Sequence, residues 1–309
     1  MPDPSPADLD FLIVGECVAD IVRTTGRSDR PHPGGSPANV AYGLARLGRR
    51  TALLTQLGDD PYGRLIRAHL ASGGVTVLTD GQDVPTPTAI VTLDPSGSAS
   101  YAFAIDWTLA PTPAPTPRAR HVHLGSLASV QEPGAAVARR ILSEARTAGA
   151  TVSYDPNIRP ALLADHRSAV AAVEHCVALS HLVKASDEDL AWLYPGIPVR
   201  DSAARWLTLG PTAVVVTCGR DGSFALTPAG ETRTDAAPTT VVDTVGAGDS
   251  FMAALLATLD TPRPTLAAMT ASLRTAAAAA AITVSRAGAN PPSTAELTSA
   301  LEYRALESR

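Results

Sequence analysis

Lysine is almost missing from this chain: Lys184 stands alone, and every other fixed cation is an arginine. Basic residues number 25 and acidic residues 30, a formal charge of −5, so neither a basic nucleic-acid surface nor an acidic tail is expected. Cysteine is scarce as well. Cys17, Cys176 and Cys218 are odd in number and far apart, which argues against a disulfide framework and for a reducing cytoplasm. No CxxC or HExxH spacing occurs, so no zinc site is expected. GxxxxGK[ST] is absent, which excludes a Walker A loop. The first ten residues, MPDPSPADLD, are acidic and proline-rich, unlike a signal peptide. No run reads as a membrane span, and the alanine run 276–281 is too short for one.

What is present is an alternation of apolar strands and amphipathic helices. Phe11 to Gly15 (FLIVG) reads as a strand buried on both faces. Arg23 to Pro33 is polar and turn-rich. Gly34-Gly35-Ser36-Pro37-Ala38-Asn39 then opens a helix, with Ser36 placed to cap it and Pro37 in its first turn. Thr88 to Leu93 and Ser98 to Ile105 flank Asp94-Pro95-Ser96-Gly97, a hairpin signal. The proline-rich run Ala110 to Pro117 reads as a loop. Beyond it strands and helices alternate to the end, so residues 1–309 read as one α/β domain with a mostly parallel sheet covered by helices. Ligands of such sheets sit at the carboxyl ends of the strands.

The most informative stretch is Val241 to Leu259, VVDTVGAGDSFMAALLATL. Val241 and Val242 read as a strand tail, Gly246-Ala247-Gly248 as a tight turn, and Ser250 to Leu259 as a buried helix. Small residues at a helix start let backbone N–H groups face an anion, and the helix dipole favours negative charge there. Asp249 sits where such an anion would arrive. A general base beside a phosphoryl group accounts for it better than an N-cap does.

Four other clusters lie at strand ends or helix starts. Asp20 with Gly34, Gly35 and Asn39 suits a polyhydroxylated ligand, and equally a turn aspartate and an exposed helix-start asparagine. Asp155-Pro156-Asn157-Ile158-Arg159 follows a strand, where Arg159 can hold a hydroxyl or a phosphate. In Lys184-Ala185-Ser186-Asp187-Glu188-Asp189, Ser186 reads mainly as a helix start; the functional alternative has Ser186 and Asp189 ordering water around Mg²⁺. Thr217-Cys218-Gly219-Arg220-Asp221-Gly222 reads as a hairpin whose hydroxyl and N–H groups can meet phosphate. His121 and His123 read as packing residues.

Asp243 to Phe251 (DTVGAGDSF) resembles the C-terminal signature of the ribokinase/PfkB carbohydrate kinases, and Gly34 to Ala41 (GGSPANVA) the N-terminal one. GECVAD, DPNIRP, VKASDEDL, VTCGRDG and SRAGANPP match in the same order, so the resemblance covers nearly the whole chain. Their wording is most similar to bacterial fructokinases and 2-keto-3-deoxygluconate kinases. The resemblance implies a ribokinase-like three-layer α/β sandwich with a small β-sheet lid from about residues 20–33 and 88–106. It implies Asp249 as catalytic base and Gly246, Ala247 and Gly248 as the anion hole. It implies sugar contacts from Asp20, Gly34, Gly35, Asn39 and Arg159, with Tyr101 and Phe103 covering the sugar from the lid. Lys184, Ser186, Thr217, Gly219, Gly222 and Asn290 would lie on the ATP side. Asp189 would act indirectly on Mg²⁺, and the Asp243 and Val245 carbonyls would hold the K⁺ that some members use. The family's Asn-x-x-Glu appears here as Ser186-x-x-Asp189, a shorter acid with no amide.

The expected activity is ATP-dependent phosphorylation of a sugar primary hydroxyl, with fructose as the foremost substrate. The alternatives are 2-keto-3-deoxygluconate, a nucleoside on the same fold, or a non-catalytic sugar sensor. Arg159 and an aromatic content of 4% argue against a nucleoside pocket, and Asp249 argues against a sensor. A lid sheet with an exposed edge is a route to a homodimer. Neither a nucleic-acid nor a membrane partner is expected.

Overall fold

The structure, a computed structural model, describes residues 9–24, 28–93, 99–111, 117–163, 165–259 and 261–307. The chain opens with β1 (Leu9–Val14), β2 (Val18–Thr24), β3 (Arg30–Gly34) and α1 (Ser36–Arg46). Next come β4 (Thr51–Thr55), α2 (Pro61–Ser72), β5 (Thr76–Thr79), β6 (Thr88–Leu93) and β7 (Ala99–Ala104). The middle holds β8 (Ala119–Gly125), α3 (Gly134–Thr147), β9 (Thr151–Asp155), α4 (His166–Leu179) and β10 (Leu182–Ser186). It continues with α5 (Asp187–Leu193), α6 (Val199–Leu209), β11 (Ala213–Thr217), β12 (Ser223–Thr227) and β13 (Gly230–Thr234). Three helices close the chain: α7 (Ala247–Thr258), α8 (Leu266–Val284) and α9 (Thr294–Glu307).

Nine strands form one sheet in the order β13-β12-β11-β10-β9-β8-β1-β4-β5, parallel except at β12 and β13. Alternate residues of β1 feed opposite layers: Phe11 and Ile13 join one core, Leu12 and Val14 the other. The first core takes α1, α2, α7 and α8; the second takes α3, α4, α5 and α6. That is the three-layer sandwich. From β1 the chain winds one way to β4 and β5, then returns to β8 on the other side. The reversal between β1 and β8 is the topological switch point where a ligand cleft opens.

β2, β3, β6 and β7 form a separate four-stranded sheet in the order β3-β2-β6-β7, which is the expected excursion. Its β6–β7 pairing is antiparallel as the hairpin signal predicts; the turn residues 94–97 lie outside the described residues. The turn-rich reading of Arg23 to Pro33 is corrected by β3. Pro31 and Pro33 are compatible with a strand because β3 is an edge and a proline lacks only a donor.

Three further expectations change. β13 was not anticipated, since GETRT is polar and short. Val241 and Val242 are not a strand tail: they are 60% and 63% exposed. The N–H groups of Val242 and Asp243 instead both donate to the Val284 carbonyl at the end of α8. And α8, at 19 residues with mean hydropathy 1.3, is long and apolar enough by composition to cross a membrane, contrary to the sequence reading. Here Met269, Leu273 and Ala276 to Ala279 are buried in the core it shares with α7.

His121 and His123 are buried packing residues, as expected, and both bond Ser153 Oγ, at 2.8 and 2.9 Å. A serine hydroxyl donates one hydrogen bond and can accept two, so it can serve both imidazoles at once. Burial, the larger cause, together with the neighbouring His181 (for His121) and His121 and Lys184 (for His123), lowers each pKa to about 3. The unfolded chain binds these protons near pH 6.5 and the folded chain only near 3. Stability therefore falls as pH drops through that window, by about 1.4 kcal/mol per pH unit for each proton. Asp155, whose burial raises its pKa to about 6, offsets part of the fall. Denaturant midpoints between pH 7 and 5 should drop less steeply in a His121→Gln/His123→Gln variant than in the native chain; equal slopes would refute the assignment.

Candidate active site

The candidate site gathers Asp155 of β9, Lys184 of β10 and Thr217 of β11, near the carboxyl ends of those strands, with the starts of α1 and α7, two helices that pack on each other. Gly246 is the N-cap of α7 at φ 76°, ψ 4°, a left-handed conformation that favours glycine. A Cβ there would lie 2.6 Å from the Ala289 Cβ, so the turn also packs tightly on the loop before α9. Helix α7 starts three residues earlier than the sequence suggested, which puts Asp249 in its first turn. The Ala247 N–H donates to the Thr244 carbonyl at 3.3 Å. The later N–H groups of this first helical turn, those of Gly248 and Asp249, have no intrahelical partner.

Asp249 is 9% exposed, and both of its oxygens accept hydrogen bonds from α1. Ser36 Oγ donates to Oδ1 at 2.7 Å and Asn39 Nδ2 to Oδ2 at 2.8 Å. Ser36 is therefore not the expected cap. Gly35 is the N-cap, at φ 97°, and no side chain caps α1. A serine cap is worth about 1 kcal/mol; here the hydroxyl is spent on Asp249.

Lys184 and Asp155 each follow the paired residues Val183 and Tyr154 on neighbouring strands β10 and β9, and Asp155 pairs with Gly125 of β8. Nζ donates to Asp155 Oδ2 at 2.9 Å, and the two side chains are 5% and 1% exposed. The same Nζ lies 3.2 Å from where a Gly248 Cβ would be, so an ammonium sits beside the turn that opens α7. Burial works against its charge, but Asp155, Asp189 and Asp249 outweigh that and raise its pKa. Burial raises Asp155 to about 6, below neutral pH, so the pair is ionised at pH 7. Asp155 Oδ1 is buried with no hydrogen-bond partner among the described residues.

Asp20 stands on β2, open to solvent yet walled by protein, which raises its pKa; the charges of His32 and Arg159 oppose the rise. A Cβ on Gly34 would fall 2.0 Å from Asp20 Oδ2, so only glycine leaves room for this carboxylate. Arg159 Nη1 donates to the Asn157 carbonyl, Asn157 Oδ1 and the Ile158 carbonyl, and its guanidinium is near enough to act on Asp20 as a charge. Phe103 is 43% exposed on β7. Tyr101 is on the same strand, and its side chain lies outside the described residues.

On the nucleotide side, Ser186 and Asp189 form a capping box at α5, as the bland reading held. Asp189 Oδ2 accepts from the Ser186 N–H and Oδ1 from the Ile158 N–H at 2.7 Å, so both oxygens fasten backbone. Thr217 pairs in register with Ser186 at the sheet edge. Gly219 and Gly222 have φ of 53° and 82°, and a Cβ on Gly222 would meet the Thr234 carbonyl at 2.1 Å. Asp243 accepts from the N–H groups of Val245 and Gly288, which lower its pKa and tie the turn to residues 285–290. The Asn290 N–H donates to the Gly288 carbonyl in that loop. The residues missed from sequence are Ser36 as a partner of the base and Asp155 as the counter-ion of Lys184. The signals were there: Ser36 and Asn39 are one helical turn apart, and a single lysine on a buried strand requires a carboxylate.

Residues 9–296 match the pfkB family of carbohydrate kinases. The chain belongs to that family. A fructokinase of Klebsiella pneumoniae is 34% identical over 255 residues, covering 80% of this chain and 83% of that protein. A double-mutant fructokinase from Vibrio cholerae O395, solved with fructose, ADP and potassium, superposes with a TM-score of 0.84 at 25% identity, over 95% of this chain and 99% of that one. An aminoimidazole riboside kinase from Salmonella enterica, solved with aminoimidazole riboside and an ATP analogue, gives 0.81 at 26% identity, over 94% and 99%. The pfkB fold thus accounts for both sheets, and the chain is a carbohydrate kinase.

Proposed function

We propose that this pfkB kinase transfers the γ-phosphoryl group of MgATP to a primary hydroxyl of fructose. The observation that carries the reading is Asp249, held by two side chains at the start of α7 with the Lys184 ammonium close to the same turn. Asp20, Gly34, Gly35, Asn39 and Arg159 form the sugar side. Thr217, Gly219, Gly222 and the loop ending at Asn290 form the nucleotide side. Among the described residues no group of three or more His, Cys, Asp or Glu could hold a metal. That suits a Mg²⁺ that arrives on the nucleotide and keeps its waters, with Asp189 acting at a distance. The Asp243–Val245 turn, tied to Gly288, is the candidate K⁺ site. Three free thiols fit a cytoplasmic enzyme, and the lid, with Val22 and Phe103 exposed, is the surface for a homodimer.

Fructose is favoured by its naming in the relatives and neighbours. The riboside kinase neighbour supports a nucleoside as the second reading. Sugar-dependent ADP release, measured over fructose, 2-keto-3-deoxygluconate, ribose and nucleosides, decides between them. Fructose should give the highest kcat/KM. A nucleoside above it would select the second reading, and no turnover with any of them would favour a sensor.

A further inference from the structure

A base that removes a proton from a sugar hydroxyl must offer that hydroxyl one of its oxygens. In this structure each Asp249 oxygen accepts one hydrogen bond from α1; a carboxylate oxygen can accept two, so an incoming hydroxyl either shares an oxygen with its donor or draws that donor away. The two donors are not equivalent. Ser36 opens α1 but caps nothing, because Gly35 is the N-cap, and its hydroxyl donates to Oδ1 of Asp249 instead. Asn39 lies one turn further along α1, and its amide both donates and accepts, so it can satisfy a sugar hydroxyl in place of Oδ2.

We propose that Ser36 is a positioning residue that stays on Oδ1, while Asn39 is a latch that the sugar draws off Oδ2. Without a sugar, Asn39 holds one acceptor site of Oδ2; with one, that site is open to the reacting hydroxyl. The inference rests on the sugar-kinase reading. In the step it serves, the sugar hydroxyl gives its proton to Asp249 Oδ2 as its oxygen bonds the γ-phosphorus. The bond from that phosphorus to the oxygen bridging to ADP breaks, ADP keeps the electron pair, and the proton passes to solvent after product leaves.

The test uses the whole chain and the variants Ser36→Ala, Ser36→Thr and Asn39→Ala, with MgATP and the best sugar of the panel. Thermal midpoints check that each variant is folded. Ser36→Ala should lower kcat by about ten- to a hundredfold with sugar KM nearly unchanged, since a misplaced group costs rate before it costs binding. Ser36→Thr, which restores the hydroxyl, should recover most of it. Asn39→Ala should raise sugar KM and also raise ATP hydrolysis measured without sugar. Wild-type kcat in Ser36→Ala, a loss that threonine does not repair, or sugar-free ATP hydrolysis in Asn39→Ala no faster than in the native chain would each overturn the proposal. Those outcomes are read on a native chain that phosphorylates a sugar; a native chain that phosphorylates none overturns the functional reading itself.

Discussion

Asp249→Asn is expected to reduce kcat by about two to four powers of ten, the usual worth of a positioned general base. Sugar affinity should change little on the proposed reading, which gives the sugar contacts to Asp20, Asn39 and Arg159. The substitution keeps size and an oxygen for the Ser36 hydroxyl, so that contact can survive. The new amide faces the Asn39 amide, two donors at a site where one acceptor stood, so Asn39 must turn its carbonyl inward. The variant also removes one negative charge that favours the Lys184 ammonium. Steady-state kinetics with calorimetric measurement of sugar binding checks this: kcat should fall and the dissociation constant should hold, the sign of an interaction made mainly in the transition state. Turnover within about tenfold of the native chain would remove Asp249 from the role of base.

Why the glycine turn and Asp249 could be read from residues alone is physical. A left-handed turn at a helix start requires a glycine at a fixed place, so the turn from Gly246 to Asp249 is written locally, and the proposed anion site and base rest on it. β1, β8 and the β6–β7 hairpin were legible for a similar reason, because strand periodicity and turn residues are local signals. β3 was hidden by Pro31 and Pro33, whose tolerance depends on being at an edge, and an edge is a property of the finished sheet. The Ser36 and Asn39 bonds to Asp249 span more than 200 positions in sequence, at separations of 213 and 210. No local rule predicts which of two helix-start hydroxyl roles, cap or side-chain partner, wins. Here the left-handed Gly35 takes the cap and frees Ser36. Ser186 shows the opposite outcome: with an acid three residues on, the local capping box forms and leaves Asp189 little freedom for a metal.

Lys184→Met is expected to damage folding and catalysis through one contact, and the two effects can be separated. Removing the ammonium leaves Asp155 buried with neither oxygen partnered, since Oδ1 has no partner already. Breaking one side of a buried pair costs about 3–5 kcal/mol. The stranded carboxyl meets that cost by staying protonated, so its folded pKa rises further above the unfolded value of 3.8. An acid with a raised folded pKa contributes stability that is lost as pH rises, so Lys184→Met should be less destabilised at pH 5 than at pH 7. Replacing both partners, as Lys184→Met with Asp155→Leu, removes the stranded charge and should recover most of the stability. Turnover should not recover, because the cation 3.2 Å from the Gly248 Cβ position is still missing. Loss of one preorganised charge at a developing oxyanion is worth about a hundred- to a thousandfold in rate. Urea midpoints at the two pH values, read beside kcat for both variants, test this. A double variant that regained turnover along with stability would make Lys184 a structural residue and leave the anion hole to the backbone of α7 alone.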